Sequence, residues 1–94
     1  MNVKVLRMNT GEDVIFTLVE DKEESIVVED ALVAVNGGQG QIGFGPWAPL
    51  VKNGDSIEIE KSFIVYIAEP QDEVAEQYQK IFSPIETPSK KLIL

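Results

Sequence analysis

This 94-residue chain has no cysteine and no histidine. That double absence excludes disulfide staples, thiolate or imidazole zinc sites, cysteine nucleophiles and the usual general base. Long apolar runs are also missing, so no membrane span is expected. The opening Met1-Asn2-Val3-Lys4-Val5 lacks a basic segment followed by an apolar run, which predicts no signal peptide and a soluble, cytoplasmic protein. Positive charge is scarce. Eight Lys and Arg face sixteen Asp and Glu, for a formal net charge of −8, which argues against a strong, whole-surface phosphate binder.

Aliphatic residues are what the chain does have. Hydrophobic residues make up 44% of it and are spread throughout, as in a folded domain rather than an acidic tail. A chain of this length buries only roughly 60–65% of its unfolded surface, so its core is thin and self-association would help it.

The pattern of residues 1–69 is β. Residues 3–8 read as a first strand, followed by Asn9-Thr10-Gly11-Glu12 with turn chemistry and Gly11 as the natural site of positive φ. Residues 14–19 place Val14, Phe16 and Leu18 on one face and Ile15 and Val19 on the other, so both faces of this strand are expected to be partly covered. After the charged connection of residues 20–25, residues 26–35 form the next strand. The Gly-rich stretch 36–40 breaks it. Residues 41–51, interrupted by Gly43, Gly45, Pro46 and Pro49, read as an edge strand or partly as loop. Asn53-Gly54 signals a hairpin. It leads into Ser56-Ile57-Glu58-Ile59-Glu60, the cleanest alternation in the chain, with apolar residues in and acids out. A short Lys61-Ser62 link precedes a last strand over residues 63–68.

At Pro70 the period changes. Val74, Tyr78, Ile81 and Phe82 fall on one helical stripe. Pro70 suits the first turn, and Asp72 and Glu73 sit near the positive end of the helix dipole. Ser83-Pro84 stops the helix. The tail, residues 84–94, ends in Lys90-Lys91-Leu92-Ile93-Leu94, which either folds back as a strand or pairs with a neighbouring subunit's edge. The expected fold is mainly β: a small five-stranded, partly open barrel of the SH3 or Sm kind over 1–69, one helix over 70–83, then the extended tail. An OB barrel is the competitor, but it usually needs longer strands and a helix between strands.

Several motifs invite chemistry. Gly38-Gln39-Gly40-Gln41-Ile42-Gly43 spells the dinucleotide-binding glycine pattern, but Pro46 and Pro49 forbid the helix that must follow, and a Gly-rich loop is the better reading. Glu58 and Glu60 share a strand face and could approach a hard cation; the same alternation makes them a solvated face. No serine stands in a nucleophile context. No catalytic, cofactor or metal site is expected, and the chain is read as a non-enzyme. Phe44, Pro46, Trp47 and Pro49 form the one aromatic–proline cluster, with Trp47 either a stacking platform or an anchor at an interface or core edge.

The order of elements resembles the Sm/LSm barrel. Residues 6–18, with Gly11 in the turn, look like the start of an Sm1 segment. Ile57-Glu58-Ile59-Glu60-Lys61-Ser62-Phe63-Ile64-Val65-Tyr66-Ile67 looks like Sm2, two strands meeting at an abrupt bend. The whole chain is similar to small marine phage (cyanophage-type) Sm-like proteins, through Gly11-Glu12-Asp13-Val14, Gln41-Ile42-Gly43-Phe44-Gly45-Pro46-Trp47, Glu69-Pro70 and Thr87-Pro88-Ser89-Lys90-Lys91-Leu92. The resemblance implies a homo-oligomeric ring in the host cytoplasm, closed by pairing the fourth Sm strand of one subunit with the fifth of the next. Ile57, Ile59, Phe63, Val65, Ile67, Leu92 and Ile93 are the expected interface residues. It also implies a single-stranded RNA or DNA ligand. Glu60-Lys61 stands where the family has Arg-Gly, and the family's Asn is absent after Glu29-Asp30, so Lys4, Arg7, Trp47, Lys52 and Lys61 become the candidate nucleic-acid or partner contacts. A protein-interaction or virion module without nucleic-acid binding is the alternative.

Overall fold

The computed structural model describes residues 2–38, 41–52 and 54–82. Six strands and one helix follow in order: β1 Val3–Met8, β2 Asp13–Asp21, β3 Ser25–Gly38, β4 Gln41–Pro46, β5 Ile57–Glu60, a 3₁₀ turn Lys61–Phe63, β6 Ile64–Ala68 and α1 Asp72–Phe82. All pairings are antiparallel, in one sheet of order β4-β3-β2-β1-β6 with β5 also on β3. The expected five strands are thus six. The glycine- and proline-rich stretch contributes β4 as a true edge strand, short enough to end at Pro46.

Strand β3 organises the sheet. Its first half pairs β5, Ser25 with Glu60 through Val28 with Ile57, and its second half pairs β4, Leu32 with Pro46 through Gly38 with Gln41. Both partners lie on the edge away from β2, which pairs with β3 from Ile26 to Val33. Between the halves the register against β2 shifts: Ile15 faces Leu32 but Thr17 faces Glu29. The extra residue is a β-bulge that bends the strand, and Asp30 takes φ 54° there. Aspartate is one of the few side chains that tolerate the left-handed region.

The bend lets the sheet curl. β5 hangs on the far side of β3 and β6 on the far side of β1, yet only Lys61–Phe63 joins them. Three residues span about 10 Å at most, so the two sides of the sheet approach one another. Turn bonds hold the crossover, with the Lys61 N–H donating to the Glu24 carbonyl at 2.9 Å and the Asn9 N–H to the Phe63 carbonyl at 2.8 Å. No pairing joins β5 to β6 among the described residues, so the sheet stays open there.

Burial follows the alternation read from β2. Val14 and Phe16 enter the core inside the curl with Leu6, Ile26, Val28 and Ile59. Ile15, on the other face, joins Val3 and Tyr78 in a second cluster that α1 covers with Val74 and Phe82. Val19, by contrast, is exposed, because it lies beyond the helix's reach. Ile81 is also exposed; the helix rests on Val74, Tyr78 and Phe82, and Ile81 falls to the side of that contact. Pro70 lies before the helix rather than in its first turn. The Gln71 carbonyl accepts the first helical bond, from Ala75 at 2.9 Å.

Two glycine signals resolve differently. Gly11, at φ 100°, makes the expected turn between β1 and β2. Gly54, at φ 87°, also sits in a turn, closed by the Asp55 N–H to the Lys52 carbonyl at 3.1 Å. It does not form a hairpin, since β4 and β5 both pair with β3 and not with each other. Tail residues Leu92 and Ile93 lie outside the described residues.

Tyr78 is fully buried and stacks at a tilt on Phe82, ring centroids 4.9 Å apart. Its hydroxyl donates to the Asp30 carbonyl at 2.8 Å and shares a 2.9 Å hydrogen bond with the Thr17 hydroxyl. The backbone oxygen that the bulge withdraws from the ladder therefore finds its partner in the helix. Tyr78→Phe is expected to cost about 1–3 kcal/mol, the penalty of an unsatisfied buried acceptor, and Tyr78→Ala about 3–5 kcal/mol, measured by urea unfolding. Burial pushes the Tyr78 phenol up to about 12. A group whose folded-state value is raised loses its stabilising contribution as pH climbs through it, so stability should decline from pH 10 to about 12 in the native protein and less steeply in Tyr78→Phe.

Candidate functional site

The crossover between β5 and β6 carries the surface that most needs a partner. On β5, Ile59 points into the core and Ile57 packs against it, leaving Glu58 and Glu60 exposed. On β6, Val65 is 61% exposed and Ile67 39%, with Phe63 before them at 49%. Tyr66 is exposed on the opposite face. Among the described residues, strand β6 pairs only with β1 and β5 only with β3, so within that set each has a row of backbone groups without a strand partner. The edge of β6, with exposed apolar side chains beside it, is a template for strand addition. Of the expected interface residues, Phe63, Val65 and Ile67 therefore lie at the surface, while Ile57 and Ile59 contribute chiefly to the fold.

The candidate basic contacts are not gathered into one patch. Lys4 and Arg7 are three residues apart on β1, so the two-residue strand period sends them to opposite faces. Lys4 pairs with Glu69. Arg7 grips Asp13 with two hydrogen bonds, Nε to Oδ1 at 2.8 Å and Nη2 to Oδ2 at 3.0 Å. Lys61 reaches Asp21 at 2.8 Å. Lys52 is exposed and has no ion pair among the described residues. Trp47 is half-buried against the inner core, its backbone N–H donating to the Ala31 carbonyl at 3.3 Å; it anchors the core edge.

Acids shape the remaining surface. Glu58 accepts from the Ser25 hydroxyl at 2.7 Å and from Lys22 at 3.3 Å, which together hold its carboxyl below the usual range. Glu60 stays apart from that bond set, and no group of three or more acids among the described residues is arranged to hold a metal. The partners here are distant in sequence: the strand pairing of Ser25 with Glu60 brings Ser25 and Lys22 to Glu58, and Lys61 meets Asp21. No helix among the described residues is long and apolar enough to cross a membrane.

Asp13, hydrogen-bonded to Arg7, is lowered from its ordinary 3.8. Asp30 is raised from the same value, first by burial and then by neighbouring Glu29. The two act with opposite sign: the Asp13 contribution is present above pH 3.8 and lost as pH falls through its lowered value, whereas that of Asp30 is present below 3.8 and lost as pH rises through its raised value. Carboxyl chemical shifts followed from pH 2 to 7 should show Asp13 titrating before Asp30 as pH rises. Asp13→Asn should change unfolding free energy by no more than about 1 kcal/mol, as for other exposed pairs.

Comparison with protein-family models and with curated proteins finds no match to this chain.

Proposed function

We propose that this chain is a non-enzymatic, Sm-like small barrel of phage origin that works as a homo-oligomeric ring in the host cytoplasm, as an accessory that binds or helps process single-stranded RNA or DNA. One observation carries the reading. Among the described residues, a bent β5–β6 unit leaves two unpaired strand edges on either side of an open seam, with Phe63, Val65 and Ile67 exposed nearby. The edge of β6 on one subunit and of β5 on the next are different surfaces, and a head-to-tail contact of that kind generates a ring when the rotation closes. Covering this edge also offsets the thin core of a chain this short.

The nucleic-acid part of the reading is supported by the Sm-type order of elements and by Lys52, a cation with no carboxylate partner among the described residues. A protein-interaction or structural module is the second reading. It is favoured by the carboxylates on Lys4, Arg7 and Lys61, which must be displaced before a phosphate can take their place.

Light scattering coupled to size exclusion should give a discrete oligomer at tens of micromolar protein, and Val65→Glu combined with Ile67→Glu should yield folded monomer. A native monomer would overturn the ring. Fluorescence anisotropy with short single-stranded RNA and DNA at low salt should show binding that weakens steeply with added salt, because phosphate contacts release counterions, and that drops further in Lys52→Ala. Absence of binding by an intact oligomer would overturn the nucleic-acid part and leave the interaction module.

A further inference from the structure

A groove of about 500 Å³ lies where the end of α1 meets the β3 bulge and the β4–β5 connection. Leu32, Pro46, Ile57 and Phe82 make its apolar lining, and Val51 stands partly exposed at its edge next to a fully exposed Leu50. Its charged lining groups are Asp30 and Asp55, with Lys52 as the single cation. Glu29, beside Asp30, accepts from Ser56 at 3.2 Å. Neither Asp30 nor Asp55 has an ion pair among the described residues.

We propose that this groove is the docking site of the chain's own C-terminal segment, with Leu92 and Ile93 on the apolar lining and Lys90 and Lys91 against Asp30 and Asp55. Three observations choose this occupant. The segment departs from Phe82, itself a wall of the groove. Leu92 lies ten positions after Phe82, a reach of roughly 33 Å when extended, enough to turn and come back. The charge is complementary: Glu86 is the only acid after Phe82 and is outnumbered by the Lys90-Lys91 pair, while the remaining fifteen acids precede it. Pro84 and Pro88 oppose continuation of the helix and favour an extended path along a groove. Attachment at the groove wall gives the segment an effective concentration in the millimolar range, which a detached peptide would not have. The seam at β6 is left open, so this contact is independent of ring formation.

The lack of cysteine makes the test direct. Ser89→Cys introduces one attachment point for a nitroxide in the full-length chain, and relaxation enhancement is read on the methyl groups of Leu32, Ala48, Val51 and Ile57. The expected result is a several-fold loss of intensity at those methyls, with Val65 and Ile67 spared. Leu92→Asp with Ile93→Asp should restore the intensities. Asp55→Lys should weaken the effect, and adding Lys90→Glu and Lys91→Glu to it should bring the effect back. A second sample mixes isotope-labelled, nitroxide-free chains with unlabelled, nitroxide-bearing ones. Broadening at the groove in that mixture, or broadening confined to β6, would overturn docking within one chain, as would unaffected groove methyls.

Discussion

The bend at Asp30 is the constraint on which the rest of the molecule depends. A straight β3 would carry one neighbour along its outer edge. The bulge gives it two, β5 before the bend and β4 after it. Turning a strand this sharply removes a carbonyl from the ladder, and a buried carbonyl without a donor costs as much as a lost hydrogen bond. Tyr78 supplies that donor from α1 and is itself held by Thr17 on β2. Bend and helix therefore stabilise each other. The helix is positioned by the bulge, and the bulge is tolerated because the helix is there.

Two consequences follow for packing. The sheet has apolar residues on both faces near β2, so it separates two small cores: one inside the curl around Phe16, the other beneath α1 around Ile15 and Tyr78. The same curl brings β5 and β6 close enough for a three-residue crossover without pairing them. Surface ion pairs such as Arg7–Asp13 add little energy, but they spread the few cations over the molecule. Lys4, Arg7 and Lys61 each meet a carboxylate in this way.

Much of this was legible from residue order. The alternation of Val14, Ile15 and Phe16 points to a strand covered on both sides, Gly11 to its entry turn, and the Val74–Tyr78–Ile81–Phe82 stripe to the helix that covers it, although Ile81 stays exposed. Other features were not. Asp30 has no local signal that distinguishes it from any other strand aspartate, and its left-handed conformation falls between the stretch of β3 that pairs β5 and the stretch that pairs β4. Gly54 keeps its turn conformation but the expected hairpin does not form, since a local turn cannot specify which strand its flanks will join. Lys4, Arg7 and Lys61 could be named as cations. Their carboxylate partners, Glu69, Asp13 and Asp21, depend on register, and register follows from the folded sheet.

The central claim is that the open edges of β5 and β6 are the assembly surface. Backbone amide exchange, followed residue by residue over a wide range of protein concentration, tests it most directly. The account predicts that amides within Ile57–Glu60 and Ile64–Ala68 that lack an intrachain partner become protected together as concentration rises, while those of β4 do not change. If the outward amides of β6 exchange at the unprotected rate at every concentration, the edge is not an interface and the account is wrong.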